Sequence, residues 1–211
     1  MKIAIIGATG WIGSTIANEA LGREHEVISI ARDISKITLE NVDKRELDIL
    51  KSSDLASAVQ GADVVIAAVG GRAKGNHDMV ASSAERLLVD LPQTDASRLL
   101  WVGGAGSLEV APGVTVLSTP DFPEEYKDEA KAQTDALGVF RSSKSAVEWT
   151  FISPAAEILP GTRGGSYRVG GDQLLMNDDG ESRISVEDYA VAVIDEAEKR
   201  QYPNQRIGVA Y

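Results

Sequence analysis

The segment Lys2-Ile-Ala-Ile-Ile-Gly-Ala-Thr-Gly-Trp-Ile-Gly13 constrains this chain more than any other. A short apolar run ends at Gly7, and glycines recur at 10 and 13 where a helical pattern begins. In this spacing Gly7 permits a sharp turn out of a first strand. Gly10 lets backbone approach a pyrophosphate, and Gly13 lets the helix lie close to the sheet. Amides of the first helical turn, aided by the helix dipole, then face the phosphates. The expectation is a strand-turn-helix corner that binds a dinucleotide.

The rest of the chain repeats this alternation. Apolar positions Ile12, Ile16, Ala17, Ala20 and Leu21 place a helix over 11–22. Strands are expected at 26–31, 44–47, 62–69, 98–102, 149–152 and 206–210, and helices at 52–60, 77–90, 123–147 and 186–199. Residues 33–40 read as a short polar helix or loop, and 103–120 as an irregular glycine-rich loop. Ser185-Val-Glu-Asp188 resembles a capping box opening the last helix. Strands alternating with helices imply an α/β protein, a doubly wound parallel sheet covered on both faces. Residues 160–184 carry six glycines and read as loops and hairpins outside that sheet, a small C-terminal loop-rich substrate region. No linker divides the chain, so a single domain over 1–211 is expected.

Composition narrows the partners. A formal charge of −11 argues against nucleic acid and anionic membrane surfaces. With no cysteine there are no disulfides, thiolate metal sites or thiol nucleophiles. His25 and His77 have no partners at metal-ligand spacing, so no metal is expected, although His77 could face a substrate. Asp178-Asp179-Gly180 reads as a turn, and Trp101 and Trp149 as core. No segment has the length or apolarity of a membrane span or signal peptide, so a cytoplasmic protein is expected, a monomer or small homo-oligomer with a small-molecule substrate.

Site residues follow from position. Arg32 lies just past the second strand, where arginine pairs with the 2′-phosphate of NADP and a carboxylate accepts from the 2′-hydroxyl of NAD. Asp33 beside it leaves NAD as the alternative. Asp48 and Ile49 follow the third strand, at the adenine position. Ala67-Ala68-Val69-Gly70 ends the fourth, where small residues let a ribose pass close over the sheet.

Five segments occur in order: Gly7-Ala-Thr-Gly-Trp-Ile-Gly13, Asp48-Ile-Leu50, Gly103-Gly-Ala-Gly-Ser-Leu108, Trp149-Thr-Phe-Ile-Ser-Pro154 and Ser182-Arg-Ile-Ser-Val-Glu-Asp-Tyr-Ala190. With them the whole chain resembles the atypical short-chain dehydrogenase/reductases, and within these the proteins described as NADH-flavin reductases. More distantly it is similar to biliverdin-IXβ reductases and the NmrA-like group. The resemblance implies a Rossmann fold. It implies that Thr9, Gly10, Trp11 and Ile12 meet the pyrophosphate, Arg32 the 2′-phosphate, and Asp48 and Ile49 the adenine. Ala68, Val69 and Gly70 would flank the ribose, and Ser153, Pro154 and Ala155 would border the nicotinamide. The 103–108 loop would lie beneath the hydride-transfer site.

One departure matters. Relatives use a Tyr-x-x-x-Lys pair; here Tyr126 falls in the tyrosine slot and Ala130 in the lysine slot. Phe140-Arg-Ser-Ser-Lys144 has the spacing without the phenol. Carbonyl reduction and sugar epimerisation are thereby demoted. Flavin reduction survives, because reduced flavin can take its proton from solvent. The expected function is an NAD(P)H-dependent reductase of flavin, FMN included, or a similar planar acceptor. Tyr126, Phe122 and Ser107 are candidates for the acceptor side, with Tyr126 and Ser107 assisting catalysis. Loops 71–78, 106–125 and 160–178 would roof the site. The alternatives are a non-catalytic NADP-binding redox sensor and, further off, a nucleotide-sugar epimerase or dehydratase.

Overall fold

Parallel strands buried on both faces must be apolar nearly throughout, and β1 (Lys2–Ile6) of this chain is. The computed structural model describes residues 1–71 and 75–211. From β1 the chain runs through α1 (Trp11–Gly22), β2 (Glu26–Ala31), β3 (Asp43–Glu46), α2 (Leu55–Val59) and β4 (Val64–Ala67). It continues through α3 (Asp78–Asp90), β5 (Arg98–Val102), a small hairpin of β6 (Glu109–Ala111) and β7 (Val114–Thr115), and α4 (Lys127–Ser142). The last part comprises β8 (Glu148–Ser153), β9 (Glu157–Leu159), β10 (Arg168–Gly170), β11 (Arg183–Ser185), α5 (Val186–Lys199) and β12 (Gln205–Ala210).

The main sheet has the order β10-β12-β8-β5-β4-β1-β2-β3 and is parallel except for β10. Its order reverses beside β1, which pairs with β2 on one side and β4 on the other. Outside the carboxyl ends of the strands at such a switch point lies the crevice where doubly wound sheets bind ligands.

Strand residues alternate between two cores. On one face Ala4, Ile28, Val65, Leu99 and Trp101 pack with Val80, Leu87 and Phe140 of α3 and α4. On the other, Ile3, Ile5, Ile66 and Leu100 pack with Ile16, Tyr189 and Ile194 of α1 and α5. Phe140 sits between Trp101, Trp149 and Phe151 with ring centroids 5.2–5.7 Å apart, in tilted and edge-on geometries. Both tryptophans are core, as their sequence setting indicates.

The elements deviate from the pattern in instructive places. The expected helix at 123–147 opens as a 3-10 turn over Glu124–Tyr126, becomes α-helical at Lys127 and stops at Ser142. Ser143 is extended there, and Ser145 gives its hydroxyl to Leu88 O. The 52–60 helix is confined to Leu55–Val59, because Asp54 caps it through Ser57 N and a 3-10-type bond closes it at Gln60. Residues 33–40 contain a single 3-10 turn, Ile34–Lys36. Residues 160–184 do extend the main sheet: Arg168–Gly170 returns antiparallel along β12. Three residues are too few to stand out among six glycines. The capping box is real, with Ser185 Oγ accepting from Asp188 N at 3.0 Å. Asp178-Asp179-Gly180 is a turn, with Gly180 at φ +78°. Among the described residues no helix is long and apolar enough to cross a membrane.

At the sheet's amino edge, away from the crevice, a buried ion pair joins α5 to β5. Arg98 and Glu196, 4% and 3% exposed, are hydrogen-bonded to each other. Glu196 also accepts from Thr150 Oγ1 (3.1 Å), Gln201 N (3.0 Å) and Tyr202 N (3.1 Å). Removing Glu196 leaves buried Arg98 with Glu148, 3.2 Å from its Nε, as its remaining carboxylate partner, and frees Gln201 N and Tyr202 N. Glu196→Ala should therefore cost up to about 3–5 kcal/mol in a urea titration. Lys131→Ala, which breaks an exposed pair with Asp135, should leave the midpoint unmoved.

Acid stability has its own signature on the α1–α5 surface. Burial works against the Asp195 carboxylate, but hydrogen bonds from Lys199, Tyr167 and Arg23 outweigh it and hold its pKa down to about 2. An unfolded aspartate titrates near about 3.9, so this contribution is complete above about pH 4 and is lost as pH falls toward 2. Asp195→Asn should flatten the fall in stability across that window, measured as midpoint against pH.

Candidate functional site

The turn between β1 and α1 has no room for side chains where it meets the neighbouring strand. Gly7 has φ +87°, and a Cβ on it would lie 2.2 Å from the Ala68 carbonyl oxygen. A Cβ on Gly13 would lie 2.3 Å from the Gly7 oxygen. Gly7 N and Ala8 N both donate to Ile30 O, and Gly10 N returns to Gly7 O at 2.9 Å. The corner is thus tied to β2 and pressed against β4. Gly10 differs: its backbone is ordinary, and a Cβ there would meet only Gly7 O at 3.3 Å.

The fit of a phosphate here can be judged from the helix. Gly10 caps α1 with no side chain, and the first turn carries no acidic residue. The amides of that turn have no intrahelical acceptors. Thr9, Gly10 and Trp11 are exposed, and Ile12 is half-buried against the core. A helix start left uncapped, acid-free and open suits a pyrophosphate.

Around the crevice the expected residues fall in sequence order along the strand ends. Arg32 is exposed immediately after β2, while Asp33 is occupied: its carboxylate accepts from Ser35 N and Ser35 Oγ and pairs with Lys36 at 3.4 Å. The hydrogen bond from the Ser35 hydroxyl, helped by that from Ser35 N and opposed by desolvation, lowers the Asp33 pKa. Asp48 lies after β3 with its carboxylate on Leu50 N. Ile49 is 5% exposed and packs in the core, so the apolar side chain open at this turn is Leu50, at 39%. Ala68 is half-buried against Gly7, Val69 is buried, and Gly70 is exposed.

On the far side of the crevice, Ser153, Pro154 and Ala155 are buried at the end of β8. Ser107 is half-buried in the loop after β5. Gly106 lets that loop touch α4, since a Cβ there would sit 2.8 Å from Ala130 Cβ. Tyr126 is 41% exposed at the start of α4. Phe122 is half-buried in the loop before it. Ala130, in the lysine slot, is buried, while Lys127 and Lys131 pair with Glu124 and Asp135. Of the three expected roof loops, residues 72–74 of 71–78 lie outside the described residues.

Two groups here were missed from sequence. Glu129 of α4 accepts from Gly71 N (3.0 Å) and meets His77 Nδ1 (3.1 Å). Gln133, one turn on, donates to Val69 O and accepts from Trp101 Nε1, each at 3.0 Å. Together they tie α4 to the ends of β4 and β5. Glu129 read only as one acid in a charged helix, and its partners are more than 50 residues away. The second is Arg206 on β12, whose guanidinium lies beneath Ser107 and Ser153.

Fold and site together define a Rossmann-type dinucleotide-binding domain of the oxidoreductase class. Residues 7–197 match the NAD(P)H-binding family model, and the chain belongs to that family, among the atypical short-chain dehydrogenase/reductases. The uncharacterized protein YwnB of Bacillus subtilis is 40% identical over 99% of this chain and 98% of its own. Solved relatives include SP1627 of Streptococcus pneumoniae, named for an assumed NADH-flavin reductase activity: 37% identity, TM-score 0.89, covering 100% of this chain and 99% of that one. A Bacteroides thetaiotaomicron protein named for an assumed epimerase activity is 35% identical, with TM-score 0.90 over 100% of this chain and 96% of that one.

The two glycines separate folding from binding. Gly13→Ala should lower both the melting temperature and NADPH affinity, because its Cβ meets backbone. Gly10→Ala should melt close to wild type yet raise the NADPH Kd by about tenfold or more, read by calorimetric titration.

Proposed function

We propose that this protein is an NADPH-dependent reductase that passes hydride to flavin or a similar planar conjugated acceptor. The carrying observation is the acceptor side of the site: the lysine slot of the Tyr-x-x-x-Lys pair holds buried Ala130, and the neighbouring lysines are paired outward. Reducing a carbonyl or oxidising an alcohol needs a proton relay at that point. Flavin needs mainly that two rings be held face to face, since its proton can come from solvent. The relative named for flavin reduction supports the same reading.

In this reading the amides at the start of α1 hold the pyrophosphate, and exposed Arg32 pairs with the 2′-phosphate while Asp33 is engaged with Ser35. NADPH supplies the hydride. Ala68 to Gly70 carry the ribose close over β4. Ser153 to Ala155 form a dry wall beside the nicotinamide, and Ser107, Phe122 and Tyr126 line the acceptor side. FMN and riboflavin enter as substrates.

Arg32→Ala should weaken NADPH by about tenfold or more, the scale of a charge-assisted contact, and change NADH by less than about twofold. Equal losses would remove Arg32 from the 2′-phosphate. With riboflavin as acceptor, Tyr126→Phe should retain at least about half of kcat if solvent supplies the proton. A collapse of kcat with nucleotide binding intact would make Tyr126 the acid and return carbonyl substrates to the front.

A further inference from the structure

Arg206 projects from β12 and is 5% exposed. Its Nε and Nη2 donate to Asp172 Oδ1 at 2.7 and 2.5 Å, an oxygen that also takes Arg141 at 2.6 Å. Nη2 further reaches the backbone oxygens of Ser107 and Asp172, each at 3.4 Å. The remaining nitrogen, Nη1, has a different environment: Ser107 Oγ at 3.4 Å and Ser153 Oγ at 3.5 Å. Ser153 ends β8 and Ser107 lies in the loop after β5, the two neighbouring strands at whose ends the hydride-transfer position is expected.

A guanidinium has five donors and no acceptor. At both contacts the serine oxygen must therefore accept, and its own proton must point elsewhere. Among the described residues nothing accepts the hydroxyl proton of Ser107 or of Ser153, although Ser153 is fully buried. Two hydroxyls polarised from behind by a buried cation, with their protons unclaimed, are donors awaiting a ligand. Burial pulls the pKa of Arg206 down and Asp172 pulls it up, and an arginine starting so high stays charged.

We infer that Arg206 is a positioning residue for hydride transfer, turning Ser107 and Ser153 into hydrogen-bond donors, Ser107 toward the acceptor and Ser153 toward the nicotinamide side. This rests on the reductase reading above. The acceptor gains two electrons and one proton as hydride from NADPH, which is oxidised to NADP⁺. Negative charge then develops on a heteroatom conjugated to the receiving atom. That heteroatom takes a hydrogen bond from Ser107 and its proton from solvent, and both serines keep theirs. Preorganised donors aimed at developing charge act on kcat rather than on ground-state binding. The acceptor class is thereby narrowed to conjugated rings bearing a carbonyl oxygen or imine-type nitrogen.

The test combines Arg206→Lys, Ser107→Ala, Ser153→Ala and their combinations, with riboflavin as acceptor and folding checked by thermal melting. Ser107→Ala and Arg206→Lys should each lower kcat by about tenfold or more with NADPH Kd within about twofold. In the double-alanine background, Arg206→Lys should then add less than about twofold. An undiminished effect in that background, or a parallel loss of NADPH affinity, would overturn the inference. Should Arg206→Lys fail to fold, the Arg206 side-chain nitrogen resonances of the wild type carry the test. They should shift in Ser107→Ala and in Ser153→Ala, and unmoved resonances would remove the contact. These resonances do not depend on turnover. A wild type that reduces no acceptor while they respond would overturn the reductase reading and leave the arginine-serine contact standing.

Discussion

Everything at the crevice depends on how closely the β1–α1 corner approaches β4. The Ala68 carbonyl oxygen occupies the space a Gly7 side chain would need, and the Gly7 oxygen occupies that of Gly13. This double contact sets the height of α1 above the sheet and leaves its first-turn amides open at the reversal of strand order. It also sets the position of Ala68, which begins the segment that leads over the end of β4. The dinucleotide site is therefore a consequence of backbone packing, with few side chains contributing charge.

The proposed acceptor side is built differently, from distant segments locked by polar side chains. Gln133 and Glu129 tie α4 to the turns after β4, Trp101 reaches Gln133 from β5, and Arg206 joins β12 to the loops at 107 and 172. α4 is thus held with exposed Tyr126 at its N-cap and Ala130 packed against Gly106. A buried alanine at that point gives close packing and no ammonium, which suits ring stacking over proton relay.

What could be read from sequence follows the range of the interactions. The glycine corner, the strand-helix alternation that implies a parallel sheet, and the Ser185 cap are carried by local patterns, and the structure has them where the residues indicate. Arg32 was visible from its place after β2, but that Asp33 is engaged by Ser35 and Lys36 was not. Ile49 is expected at the adenine position, and its side chain packs in the core while Leu50 is the exposed apolar residue of that turn. β10 was missed because it is held by pairing with β12, some 40 residues on. Arg206 was invisible for the same reason: its serine partners lie 99 and 53 residues away, and one arginine in a terminal strand carries no local sign of them.

The central claim is that this site moves hydride to a planar acceptor instead of only holding a nucleotide. It is tested most directly by following NADPH oxidation by the purified protein at rising riboflavin or FMN, under anaerobic conditions and with NADH in parallel. The account predicts saturable, flavin-dependent turnover that favours NADPH. Tight NADPH binding with no oxidation at any flavin concentration would contradict it and make the protein a nucleotide-binding sensor.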